Sequence, residues 1–195
     1  TNGQSVILQH GQEVHIRATN KTGATITNGT VVYINDVQGN HPTFAKAKAD
    51  SLSTCNIIGV TTEDVLDNAT GFITTLGSVD GVDTHLFTPG ASLYVSATTA
   101  GLLTATPPSS PNYVVKVGIA LNSTNNGDIF VQTVQPRATD GTLAANTDLT
   151  VPSQKAVKTY ADTKVSSVSG TAPVSVTSGT TPTVSMAAAT TSVDG

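Results

Sequence analysis

Over the first two thirds of the chain, apolar residues come in short runs broken by Gly, Pro, Asn, Asp and Thr. The breaks recur at a spacing of roughly ten residues, as in all-β sandwiches and barrels rather than βαβ units. Residues 5–10 and 12–19 flank Gly11 and read as a hairpin; in the second run Val14, Ile16 and Ala18 alternate with His15 and Arg17. That period of two marks a half-buried strand. Residues 20–23 and 27–29 carry turn chemistry, 30–34 reads as a short strand, and 35–42 as a loop. Phe44, Ala45, Ala47 and Ala49 follow, with Lys46 and Lys48 on the alternate face. Residues 56–62 and 71–76 read as strands around a polar excursion at 63–70, and 91–96, 102–104, 113–121 and 128–134 complete the series. The expectation is a mainly β fold, with an N-terminal β-sandwich or barrel module over residues 1–136.

The pattern changes after Pro136. Residues 137–151 form a polar linker with a turn at Asp140-Gly141 and only Leu143 and Leu149 as larger apolar residues before its end. A short helix is expected over 152–165, because Ala156, Val157, Tyr160, Ala161 and Lys164 fall at helical spacing behind Ser153 as N-cap. Its regular part, 154–164, is about 16 Å long at 1.5 Å per residue. Helices this short are marginal in water unless one face is buried. Val157, Tyr160 and Ala161 form the apolar stripe, and the flanking linkers offer it little cover. The expected contact is the same helix in other copies of the chain, with Val157, Tyr160 and Ala161 as trimer contacts, although folding back on the β module is the alternative. The last stretch, 166–195, echoes Ser169-Gly-Thr-Ala-Pro173 as Ser178-Gly-Thr-Thr-Pro182. Its few apolar groups cannot make a one-chain core, whereas three copies about an axis could.

These last residues carry a resemblance. The run from Asp140 to Lys164, DGTLAANTDLTVPSQKAVKTYADTK, resembles a linker-plus-helix signature of bacteriophage tail fibre proteins. The stretch SVSGTAPVSVTSGTTPTVSMAAATTSVDG resembles the β-rich shaft that follows it. The resemblance covers roughly residues 140–195 and implies a homotrimer with a short coiled-coil helix, an intertwined β-rich shaft and a place in the virion.

Composition narrows the function. Only 11% of the chain is charged and 4% aromatic, with no Trp, which suits an all-β structural protein better than an ordinary enzyme. Residues 1–136 carry the whole net charge of −4, and 137–195 balance to zero. Without a basic cluster to neutralise phosphates, nucleic-acid binding is not expected. Cys55 is the lone cysteine, so it reads as a small buried residue. No apolar run reaches membrane-spanning length, so no membrane insertion is expected.

Candidate chemistry is sparse. His10, His15, His41 and His85 form no metal-ligand spacing. Glu63, Asp64 and Asp67, with Asp80 and Asp83, could supply a glycosidase acid pair, but Asp67-Asn68 and Asp80-Gly81 are ordinary turn residues and no Trp lines a groove. The reading is a non-enzymatic structural virion protein without cofactor. A tail fibre for host attachment comes first, with the N-terminal module docking to the particle or forming a proximal bead. A capsid (head) fibre or decoration protein is the alternative. A trimeric bacterial surface adhesin or a sugar-cleaving spike stands further off. The ending Thr191-Ser-Val-Asp-Gly195 leads to the expectation that the fibre runs on, with any host surface glycan contacted by a distal part.

Overall fold

The structure, a computed structural model, describes residues 13–144, 150–164, 169, 174–177 and 183–186. The strand expected at 5–10, with His10, lies outside them.

Five strands close a ring. They are β1 (Val14–Asn20), β2 (Val31–Gln38), β3 (His41–Lys46), β4 (Gly59–Thr61) and β5 (Thr70–Val82), with α1 (Leu52–Cys55) between β3 and β4. Hydrogen-bonded neighbours run β1-β3-β2-β4-β5, and β1 pairs again with β5. Only β1 and β3 are parallel, over Thr19↔Thr43 and Asn20↔Phe44. The fold is mainly β as expected, and within it these five strands close a small barrel. Ala18, Ile26, Val32, Phe44, Val65 and Ile73 fill it.

The same sheet continues beyond the ring into a second half. It uses β6 (Ser92–Val95), β7 (Leu103–Thr104), β9 (Lys116–Ala120) and β10 (Gly127–Gln132), with β8 (Tyr113–Val114) just before β9. Beyond β5 the order is β10-β9-β6-β7. The thirteen-residue β5 belongs to both halves: residues up to Leu76 pair with β1 and β4, and Leu76 onward pair with β10. A larger core gathers Val31, Val60, Val79, Leu93, Val117, Ile129 and Val131 among others. On β2 the adjacent Val31 and Val32 point into different cores, as side-chain alternation requires.

Four departures from the sequence expectation have physical causes. Residues 35–42 are the projecting end of the β2–β3 hairpin, with Val37↔Pro42 and Gln38↔His41 paired and Gly39 at φ 63 turning the chain. Both faces of this arm are open, so it carries no apolar alternation. Pro42 is tolerated because β1 begins to pair only at Thr43. Val14 is 52% exposed, because a bulge between Val14 and His15 breaks the alternation. Asp80-Gly81 is a bulge inside β5 rather than a turn: Gly81 sits at φ 72 where the β10 register slips between Gly127 and Ile129. Finally, Ala47 and Ala49 lie past the end of β3 yet are fully buried, and Ala49 N–H donates to the Ser96 carbonyl to join the halves.

One buried polar side chain ties the ring shut. Asn20 has no exposed surface; its Nδ2 donates to the Ala24 and Val65 carbonyls at 2.8 Å, and its Oδ1 accepts from the Thr22 N–H and hydroxyl. Asn20→Ala is expected to lower stability by about 1–3 kcal/mol, since buried groups lose their partners. A urea midpoint that did not move would show that the loop re-pairs by itself.

After Pro136 come β11 (Arg137–Ala138), β12 (Val151–Pro152), α2 (Gln154–Lys164), β13 (Val174–Val176) and β14 (Val184–Met186). β11 pairs antiparallel with β8 and parallel with β12. β13 and β14 pair antiparallel, Val174 opposite Met186.

Candidate interaction surfaces

The acidic cluster at Glu63, Asp64 and Asp67 binds the chain's own backbone. Glu63 Oε1 accepts from Phe72 N–H at 3.1 Å, Asp64 Oδ1 from Asn28 N–H at 2.8 Å, and Asp67 Oδ1 from Gly23 N–H at 2.9 Å. Asp67 is the turn residue its sequence suggested, and Asn68 beside it takes φ 64. Asp80 accepts from Ser78 Oγ. Asp83 Oδ1 lies 2.6 Å from His85 Nδ1, and that ring holds its carboxyl below the usual carboxylate range. His15 meets Phe72 edge-on at 6.3 Å, with Glu13 Oε2 3.4 Å from its Nε2, while Arg17 lies 5.5 Å from the centre of the Phe72 ring. His41 sits exposed on the arm. Among the described residues no three His, Cys, Asp or Glu side chains gather as metal ligands. Cys55 is fully buried, and burial pushes its thiol up to about 11.

The helix is built as its sequence predicts. Ser153 Oγ accepts from Ala156 N–H at 3.1 Å, which is N-cap geometry. The Asp140-Gly141 turn presses against its flank: a Cβ on Gly141 would lie 2.7 Å from Thr159 Cγ2. Asp140 braces this turn by accepting from the Thr142 N–H and hydroxyl and from Ala144 N–H, and these donors hold its carboxyl below the usual range. Among the described residues, cover reaches one side of the helix. Ala156 is completely buried, Tyr160 is half-buried beneath Lys164 Nζ at 4.2 Å, and Val157 (46% exposed) and Ala161 are open.

A family model described as phage cement protein matches residues 8–135. The chain belongs to this family. As a phage cement protein family member it is a structural component of a phage virion. A comparison with curated proteins found no match. The family match covers the β module, ahead of the residues 140–195 that resemble tail fibres, so the two likenesses rest on different parts of the chain. No helix among the described residues is long and apolar enough to cross a membrane.

Sequence reasoning overlooked one exposed apolar residue. Leu86 is 79% exposed, the highest value among the exposed large hydrophobic residues. It stands beside Phe87, which packs on the larger core. The cause is local: Phe87 N–H donates to the Thr84 carbonyl at 2.8 Å, and the turn this closes leaves Leu86 outside while Phe87 reaches the core.

Proposed function

We propose that this chain is a capsid decoration protein of the head-fibre type, whose β module fastens to the phage shell while its C-terminal part projects. The observation that carries this reading is the coincidence of the phage cement match, 8–135, with the two-core β module. A cement protein, in the plain sense of the word, holds other virion subunits together. Such work needs a rigid, mainly β body and surface complementarity, and no catalytic site.

In this reading α2 clasps three chains. Support comes from the open Val157 and Ala161 on an eleven-residue helix. Exposed Val184 and Met186 on β14 suit further burial between copies. Light scattering should then give about three times 19.8 kDa. A tail fibre remains the second reading, favoured by the likeness of residues 140–195 to that family. Any contact with a host glycan would lie in a distal part of the fibre in either case.

Electron cryomicroscopy of virions, with an antibody against residues 13–136 as label, separates the two. Density at regular positions on the head supports the decoration reading. Label confined to the tail would replace it with the fibre reading.

A further inference from the structure

The direction of the chain divides the β module into two ends. β10 enters at Gly127 and leaves at Gln132, beyond which come Pro136, β11 and α2. Five residue steps at about 3.4 Å separate its ends by about 17 Å. At the entry end lie the loops 83–91 and 121–126, while the chain beyond the module leaves from the other end.

The entry end is rigid by construction. Thr84 is fully buried; its N–H donates to the Thr124 carbonyl at 2.8 Å and its Oγ1 accepts from Thr124 N–H at 3.2 Å. Thr84 Oγ1 also donates toward Asn122 Oδ1 at 3.2 Å, and Asn122 grips Asp128 through both its amide N and its Oδ1. Ser123 Oγ donates to the His85 carbonyl, and Phe87 N–H to that of Thr84. Gly127 fits because any Cβ there would lie 2.0 Å from Thr84 Oγ1. Leu86 is thus held out between a pinned Thr84 and a core-packed Phe87. A lone exposed leucine is ordinary. One presented on a fixed loop loses little conformational entropy on being buried, and that is the property of a binding anchor. Leu121, 45% exposed, belongs to the same end. The segments 78–91 and 119–129 contain Asp80, Asp83 and Asp128 and no Lys or Arg.

We propose that this end is the face by which the module seats on the phage shell, with Leu86 entering an apolar pocket rimmed by Lys or Arg on the shell protein. This rests on the decoration reading and names its docking surface. Asp80 on β5, Asp128 on β10 and Asp83, which holds His85, complement such a rim, and the position of this end opposite α2 leaves the projecting part clear of the shell.

The test uses the full chain and shells from phage in which its gene is disrupted. Co-sedimentation measures binding of the parent, Leu86→Ser and Val37→Ser, the last altering the exposed tip of the β2–β3 arm. Thermal melts should show all three equally folded, since both side chains are open. Leu86→Ser is expected to bind about tenfold or more weakly, Val37→Ser like the parent, and the parent's affinity should fall with salt as a charged rim requires. Parent-like binding by Leu86→Ser, or loss confined to Val37→Ser, overturns the docking face while leaving the decoration reading intact. A parent chain that fails to bind the shells overturns the decoration reading itself, and the docking face with it.

Discussion

Phe44→Ala should remove about 3–5 kcal/mol from the folding stability of the β module. Phe44 is the largest residue of the ring core and completely buried. Its neighbours Ala18, Val32 and Ile73 sit on strands that close on one another, and Ile26 and Val65 are held over them by their own isolated bridge. They cannot collapse into the space without breaking the ring. The loss is a large fraction of the roughly 5–15 kcal/mol that stabilises a domain, and the melting temperature should drop by about 10–20 °C. Because β5 runs through both halves, the second half of the sheet should melt with the ring in one transition. Calorimetry would check this: two separate transitions, or a drop below about 1 kcal/mol, would contradict it. His41→Ala, on the open arm, should stay within about 0.5 kcal/mol of the parent.

Val157→Asp is the second large effect. With three helices clasped, the change would bring three carboxylates into one low-dielectric seam. Desolvation and mutual repulsion both oppose that, and each chain should lose a few kcal/mol. The expected outcome is a light-scattering mass that falls from trimer toward monomer while the β module keeps its melting temperature. Lys158→Ala should leave the assembly intact, since its 2.7 Å contact with Asp162 is an exposed ion pair worth only a few tenths of a kcal/mol. A Val157→Asp chain as trimeric as the parent would remove the clasp from the proposal.

What could be read from the sequence follows from what each element buries. Ile16 and Ala18 declare β1 because one face of it meets the ring core, and α2 is legible from Ser153 and the apolar spacing behind it. The β2–β3 arm reads as a loop because solvent on both faces erases the period of two. β5 looked half its length because it changes cores near Gly77, where the repeat restarts on a new partner. The docking face was hidden for a different reason. Leu86 matters through the knot of Thr84, Asn122 and Gly127 that holds it, and Thr84 stands 38 positions from Asn122. Pattern along the chain does not reveal such a meeting.

The opposed placement of Leu86 and α2 has a mechanical consequence. A pull on the projecting part enters the module along β10, and resistance at the far end directs the load parallel to the strands. The ladder hydrogen bonds from β10 to β5 and β9 lie across that direction. They are therefore strained in shear, many at once, instead of being unzipped singly. A tether attached this way resists tugging far better than its equilibrium stability alone would suggest.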